Sequence, residues 1–417
     1  MSTIQIFGSL SLEGEIEVQG AKNAVLPIMA GALLYEGVSV ISNVPRIRDV
    51  FCMIHILEGL GCRVELSGNE LTIDASDLTG VEILKEYVDK MRSSIMVLGA
   101  LIGRMGEAVT YYPGGCSIGE RPIDLHVYVL ERLGVQIEDK DFKISAAAKK
   151  LEGNHILLRF PSVGATENAI LASVRANGIT RIQNAAREPE IIELCEFLVQ
   201  MGACIQGIGT SCLSIIGRRK LHGTHFQIGG DRIVAGTYLA AGVATKGNVT
   251  VKGISSIYMD SVLNEFMKMG ADVTKHSREI TVSMKKRPKS ITALKTEPYP
   301  KFPTDMQSQI MAVLTLSDGV SIIEESIFEG RFETVKELKK MGAEILVSGS
   351  TAQITGVDTM YGACVEAKDL RGGAALVVAA LCADGVSTIS DCCHILRGYE
   401  DICEDLRSLG GRIEYQE

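Results

Sequence analysis

The sequence predicts an α/β protein of two globules, each made of three repeated units with helices buried inside and sheets outside. Three observations carry this reading. A pair of short motifs recurs six times at nearly even spacing. The helices between them are apolar on most faces. The strands alternate polar and apolar residues.

The first motif is a helix-like stretch that ends in Leu-Gly or Met-Gly and runs into a strand. Its copies are LEGLGCRVEL (57–66), LERLGVQIED (130–139), LVQMGACIQG (198–207), FMKMGADVTK (266–275), LKKMGAEILV (338–347) and LRSLGGRIEY (406–415). The second motif is a glycine followed by alternating apolar residues, as in EGVSVISNV (36–44) and KGNVTVKGI (246–254). Its leading glycines, Gly37, Gly106, Gly178, Gly247, Gly319 and Gly385, stand 66–72 residues apart. A fixed period of this kind marks a repeat architecture.

Each unit reads as strand, helix, strand, turn, strand and a second helix. The alternation V-S-V-I-S or V-T-V-K-G is that of a half-buried strand. Both sets of glycines suit the left-handed residue that ends a helix. The second helices are small and apolar all round: NAVLPIMAGALL, SSIMVLGALIG, NAILASVRA, IVAGTYLAAGVA, QSQIMAVLTL and GGAALVVAALCA. Such helices belong inside a domain. Two globules facing each other across a cleft are expected, and clefts between domains favour ligands.

Composition narrows the function. The 417 residues carry 42 Lys+Arg against 51 Asp+Glu, a net charge of −9, which argues against a nucleic-acid partner. Eleven cysteines without a CxxC pattern, and an N-terminus MSTIQIFGSLSLEGEIEV without basic and apolar regions, give no secretory signal. The longest apolar run, Ala374–Ala383, falls short of the ~20 residues that span a bilayer. No membrane association and a reducing cytoplasmic compartment are therefore expected. A P-loop, a dinucleotide fingerprint and HExxH are absent. Cys392-Cys393-His394 has no evident fourth ligand, so buried thiols and no metal are expected there.

Polar residues break the repeat where it calls for apolar ones. Lys22, in Gln19-Gly-Ala-Lys-Asn23, opens the first buried helix. A lysine there opposes the positive helix end unless it has a partner. It reads either as a surface residue or as half of an anion site with the helix amides. The run from Tyr112 to His126 holds Cys116 among Gly114, Gly115 and Gly119, five residues before Arg121. It reads as a long hairpin with an incidental thiol, or as a mobile loop with a reactive one. Asp305, after three prolines in PYPKFPTD, is either an N-cap or a general base. Arg92, Asp231-Arg232 and Arg371 also stand at or near the starts of buried helices, and Arg397 lies in LRGYED. A ring of such groups would bind a multiply anionic ligand.

At these residues the chain resembles the UDP-N-acetylglucosamine 1-carboxyvinyltransferase family. The segments GAKNAVLPIMAGALL, PGGCSIGERPIDLH, PSVGATEN, NAAREPEI, PYPKFPTDMQ, IFEGRF and HILRGYE follow family order from residue 20 to 400. The resemblance implies the inside-out enolpyruvyl transferase fold, with 1–21 and 230–417 in one globule and 22–229 in the other. It implies transfer of the enolpyruvyl group of phosphoenolpyruvate to the 3-hydroxyl of UDP-N-acetylglucosamine, with no cofactor. That reaction opens peptidoglycan synthesis. Lys22, Arg121 and Arg397 would hold phosphoenolpyruvate, with Arg371 lining the same site. Asn23, Arg92, Arg121, Pro122, Ile123, Asp124, Leu125, Ser162, Val163, Gly164, Asp305 and Ile327 would contact the UDP-sugar. Cys116 would protonate the enol methylene, and would be the position that fosfomycin alkylates. Asp305 would take the proton of the sugar hydroxyl. The other ten cysteines fall in helix or strand stretches, where a core role is expected. Val234 stands where the family usually has Glu, and Lys301 where it usually has Gly, leaving open a paralogue with altered kinetics or substrate range. An inactive or regulatory paralogue that binds UDP-sugar without turnover is the alternative reading, against which the intact Lys22, Cys116, Asp305 and Arg397 argue.

Overall fold

The computed structural model describes residues 2–114, 118–119, 122–218 and 220–416. They form two compact units: Met1–Gln19, Ser117–Glu120 and Gly230–Glu417 make the first, and Gly20–Cys116 with Arg121–Gly229 make the second.

Both units obey one plan. The first surrounds the apolar helices Arg232–Ala244, Gln307–Leu314 and Leu370–Cys382 with three four-stranded sheets. The second holds Lys22–Ala32, Met96–Met105 and Val163–Ser173 with two four-stranded sheets and one of three strands. Most residues of these helices are buried, least completely in Met96–Met105, and each unit has its own hydrophobic core. Strands such as Val38–Ser42 alternate buried and open positions, so one face of each sheet covers the helices.

Within a sheet the repeat is equally regular. A short edge strand runs parallel to the first strand of a unit, which pairs antiparallel with a hairpin. Thus His225–Gln227 lies along Val38–Ser42, which pairs with Glu70–Asp74 and through it with Arg63–Ser67. Glu13–Glu17 lies in the same way along Asn248–Lys252. Two sheets depart from this: the three-stranded one, whose parallel edge shrinks to the single bridge Glu82–Val109, and the one in which Val386–Ser390 pairs with Thr3–Phe7 and through it with Arg412–Gln416, strands from opposite ends of the chain instead of a hairpin.

The glycines after the amphipathic helices, Gly61, Gly134, Gly202, Gly270, Gly342 and Gly410, all take φ between 90° and 101°. Left-handed backbone is costly for residues with a Cβ, which explains the six-fold Leu/Met-Gly signature. The other set deviates twice: Gly37 takes φ 157°, outside the left-handed helical range. At the fourth copy Lys246 takes the left-handed turn (φ 56°), while Gly247 is needed for space: a Cβ there would stand 2.1 Å from the Leu12 carbonyl oxygen.

A polar thread runs through the first core. Tyr399 and Thr237 share a hydrogen bond of 2.7 Å, and Gln309 Nε2 donates to Thr237 Oγ1 at 3.2 Å. Next to it the Tyr238 hydroxyl donates to Asp405. Burial pushes the Asp405 carboxyl up to about 6; the Tyr238 bond opposes this, while Asp401, Glu400 and Glu404 add to it. The fold thus holds the Asp405 proton more tightly than the unfolded chain, where an aspartate titrates near ~4. Stability through this group is gained as pH falls from about 6 towards 4, and forfeited above 6. Asp405→Asn keeps an acceptor for Tyr238 and removes the charge. Urea unfolding should find it more stable than wild type by about 1–2 kcal/mol near pH 7.5, after discounting for partial exposure, with the gap closing near pH 4. A gap independent of pH would contradict the assignment.

Candidate active site

In the first unit, three apolar helices begin with charged residues, and two of them begin alike. Asp231 caps Arg232–Ala244: its Oδ1 accepts from the N–H groups of Ile233 (2.8 Å) and Val234 (3.1 Å). Asp369 caps Leu370–Cys382 through the N–H groups of Arg371 (2.9 Å) and Gly372 (3.0 Å). The middle helix differs. A 3-10 turn, Thr304–Met306, leads into Gln307–Leu314, and that helix has no side-chain cap. Asp305 therefore caps nothing, which overturns the N-cap alternative. Its Oδ1 accepts from Arg331, and its Oδ2 accepts from Arg371 Nη2 at 2.9 Å.

This ion cluster sits in a tight setting. The side chains of Arg331 and Arg371 are 4% and 5% exposed, and Asp305 is 25% exposed. Arg371 Nη1 is buried without a hydrogen-bond partner among the described residues. A buried guanidinium N–H calls for an acceptor, and an anionic ligand is suited to supply one. Burial would raise the Asp305 carboxyl, but Arg371 and Arg331, with a smaller effect of Arg232, outweigh it and hold the group far below the usual carboxylate range. Burial opposes the charge on Arg371, and Asp305 more than restores it.

Glu325 organises the segment around this cluster. It is buried and accepts from Thr296 Oγ1 (2.8 Å), Thr304 Oγ1 (3.0 Å), and the N–H groups of Ile327 (2.8 Å) and Phe328 (3.1 Å). Ile327 is thus placed by a carboxylate two residues before it. Arg397 ends the 3-10 turn Cys392–Arg397, half-buried, two residues before Tyr399. Sequence reading missed Arg331 and Glu325, although IFEGRF was among the segments noticed.

The second unit holds the other expected residues. Lys22 opens its helix with no side-chain cap, and its Nζ lies 2.6 Å from Asp49 Oδ2; both side chains are under a tenth exposed. Asp49 is the partner a lysine at a helix start requires, and it rules out the surface reading. Asn23 follows, half-buried. Arg92 begins the 3-10 turn Arg92–Ile95. Ser162 caps Val163–Ser173, its side chain accepting from the Ala165 N–H, so Val163 and Gly164 form the first turn. Pro122 is exposed and Ile123 buried, and Asp124 and Leu125 open the helix Asp124–Arg132; Asp124 pairs with Arg159. One turn into the capped helix, Glu167 is fully buried, and neither carboxylate oxygen has a partner among the described residues. Burial, then Glu190 and Glu188, push its carboxyl well above the ordinary range.

Cys116 and Arg121 lie outside the described residues. In the loop between them, the Gly330 N–H donates to the Ile118 carbonyl at 2.9 Å. Burial pushes the thiols of Cys62, Cys195, Cys382 and Cys403 up to about 12. The expectation that all ten other cysteines are core residues fails for Cys212 and Cys364, which are exposed. Both begin strands at positions that alternate outward. Among the described residues no cluster of three or more His, Cys, Asp or Glu is placed to hold a metal ion. No described helix is long and apolar enough to cross a membrane.

The departures from the family pattern leave the charged groups alone. Val234 is fully buried behind the Asp231 cap, and Lys301 is an exposed partner of Glu297 at 2.6 Å.

Comparison with known proteins identifies the family and the fold. The profile of the family described as EPSP synthase (3-phosphoshikimate 1-carboxyvinyltransferase) matches residues 7–406. A Caldanaerobacter subterraneus protein named UDP-N-acetylglucosamine 1-carboxyvinyltransferase 2 is 48% identical over 99% of both chains. Proteins of the corresponding name from Finegoldia magna and Thermotoga maritima are 45% and 44% identical, over 99% and 100% of this chain and 99% of their own lengths. Among solved structures, the enolpyruvyl transferase NikO from Streptomyces tendae superposes with a TM-score of 0.89 at 24% identity, over 100% of this chain and 99% of its own. An Acinetobacter baumannii EPSP synthase gives 0.79 at 18%, over 100% of both. At these identities the structures speak for the fold alone.

The Lys22–Asp49 pair generates a test. Removing one partner of a buried pair leaves an uncompensated charge, typically a loss of ~3–5 kcal/mol. Asp49→Ala should lower unfolding stability by about that much, whereas Lys301→Ala, at an exposed pair, should change it by under about 1 kcal/mol. Equal effects in denaturant titrations would contradict the placement of Lys22.

Proposed function

The chain belongs to the UDP-N-acetylglucosamine 1-carboxyvinyltransferase family, and we propose that it transfers the enolpyruvyl group of phosphoenolpyruvate to the 3-hydroxyl of UDP-N-acetylglucosamine. Phosphate is released by addition and elimination, and the product enters peptidoglycan synthesis. The observation that carries the reading is Asp305, a carboxylate that caps nothing and lies between Arg331 and Arg371, beside a buried guanidinium N–H without an acceptor among the described residues.

Phosphoenolpyruvate brings close to three negative charges. Lys22, Arg121 and Arg397 neutralise its phosphate side, and Arg371 and Arg331 supply N–H donors for its carboxylate. Asp305 takes the proton of the sugar 3-hydroxyl as that oxygen attacks C2 of the enol. Cys116 delivers a proton to C3, giving a tetrahedral adduct; loss of a C3 proton and of phosphate then restores the double bond. Asn23, Arg92, Arg121 to Leu125, Ser162 to Gly164 and Ile327 hold the UDP-sugar.

The arginine clamp gives Asp305 a second property. A carboxylate shared by two guanidinium groups is a weak base. A substrate carboxylate that claims those groups loosens the clamp and raises the basicity of Asp305 when both substrates are present. Asp305 and phosphoenolpyruvate thus compete for Arg331 and Arg371.

Phosphate release from phosphoenolpyruvate is the direct assay. It should occur with UDP-N-acetylglucosamine and not with shikimate 3-phosphate; the reverse would assign another enolpyruvyl acceptor, and neither would mean an idle paralogue. Asp305→Ala should lower turnover by ~10²–10⁴-fold while UDP-N-acetylglucosamine binding stays within about 1–2 kcal/mol. An Ala variant with most of its activity would remove the base.

Fosfomycin with UDP-N-acetylglucosamine should leave one adduct, on the peptide that contains Cys116, by intact-mass and peptide mapping. Cys212 and Cys364 are the accessible competitors. Adducts spread to either would sink the assignment of Cys116. Cys116→Asp should retain activity and escape labelling, since a carboxylic acid also delivers a proton.

A further inference from the structure

Asn168 links three segments that the functional reading gives to the sugar nucleotide, without belonging to any of them. It is fully buried in the helix Val163–Ser173. Its Oδ1 accepts from the Gly99 N–H at 2.7 Å, and its Nδ2 donates to the Ile95 carbonyl at 3.0 Å. A side-chain amide can be turned end for end, but a backbone N–H only donates and a carbonyl only accepts. One orientation alone satisfies both. Ile95 closes the turn that Arg92 opens, and Gly99 lies in the helix that continues it.

The same Nδ2 stands 2.7 Å from His126 Nδ1. An amide nitrogen has hydrogens to give and no lone pair to offer. His126 Nδ1 must therefore accept, and the ring proton sits on Nε2. His126 is buried and directly follows Asp124 and Leu125. Its ring rests on Gly164, where a Cβ would stand 2.8 Å from Cε1 and 3.2 Å from Nε2. A Cβ on Gly99 would stand 2.5 Å from Asn168 Oδ1. Both glycines are needed for space, not for backbone conformation.

We propose that Asn168 is a positioning residue for UDP-N-acetylglucosamine: it fixes His126 as the Nε2–H tautomer and holds Arg92, Asp124–Leu125 and Ser162–Gly164 in one preset arrangement. The proposal rests on the functional reading above. Three separate segments must otherwise be ordered when the ligand binds, and pre-ordering them removes that cost. Asp305, Arg331 and Arg371 lie in the other unit and do not depend on this triad. Its loss therefore weakens one substrate and spares the chemical step.

Asn168→Asp is nearly isosteric and removes both donors. Its KM for UDP-N-acetylglucosamine should rise about tenfold or more, with kcat at saturation and KM for phosphoenolpyruvate within about threefold of wild type. Gly99→Ala intrudes on the same amide from the other side and should give the same selective rise, which keeps the test available if the Asp variant folds poorly. Nitrogen-15 spectra of histidine-labelled wild type should show His126 as the Nε2–H tautomer, changing to Nδ1–H in the Asp variant. A fall in kcat with both KM values unchanged would make Asn168 merely structural and overturn the proposal. An Nδ1–H wild-type ring would overturn the hydrogen-bond assignment and the proposal with it. Wild-type protein that releases no phosphate with UDP-N-acetylglucosamine would remove the functional reading itself, whatever the spectra show.

Discussion

A helix apolar on most faces carries most of its charge at its ends. In the six buried helices of this chain the charged groups stand mainly in a first turn or just before it, with Glu167 and Arg104 further along. Lys22, Arg92, Asp231, Arg232, Asp305 and Arg371 all follow that pattern. In the first unit the aspartates divide the work. Asp231 and Asp369 give their oxygens to orphan helix N–H groups. Asp305 escapes that duty because Pro303 and a 3-10 turn bring the chain into its helix, and its carboxylate is left for Arg331 and Arg371.

The resulting cluster is a poor device for stability. Buried ion pairs return little over well-packed apolar residues of the same size, because each charge gives up its water. It is better understood as a site prepared for a ligand. Two guanidinium groups converge on one carboxylate, and Arg371 Nη1 has no hydrogen-bond partner among the described residues. Glu325 fixes the backbone of Ile327 and Phe328, four and three residues before Arg331, so the guanidinium is presented from a braced segment. The second unit uses neutral bracing instead, with Asn168 joining its segments through backbone groups and one imidazole.

The sequence shows the fold more fully than the site, for a physical reason. Packing is repeated six times, and each repeat writes the same glycine and the same apolar helix. Lys22, Asp305 and Arg371 could be found because each interrupts that pattern at one equivalent place. Asp49, Arg331, Glu325 and Asn168 could not. Asp49 is an ordinary acidic residue in the first turn of an amphipathic helix, and Asn168 sits on a helix already counted as apolar. Their roles come mostly from partners 21 to 73 residues away, which periodicity does not reveal. Arg331 was open to detection, as a charged residue that proves 4% exposed, but only a resemblance pointed to its segment. Cys212 and Cys364 show the reverse error: a strand residue is half the time an outward one.

The central claim is that Asp305 and the substrate carboxylate compete for the same two guanidinium groups. Calorimetric titration of phosphoenolpyruvate into Asp305→Asn protein saturated with UDP-N-acetylglucosamine tests it most directly. Neutralising the residue frees Arg331 and Arg371, so the account expects phosphoenolpyruvate to bind at least severalfold more tightly than it does to wild-type protein without the sugar nucleotide, and more tightly than to Asp305→Glu protein treated identically. Binding to the Asn variant that is unchanged or weaker in both comparisons would contradict it.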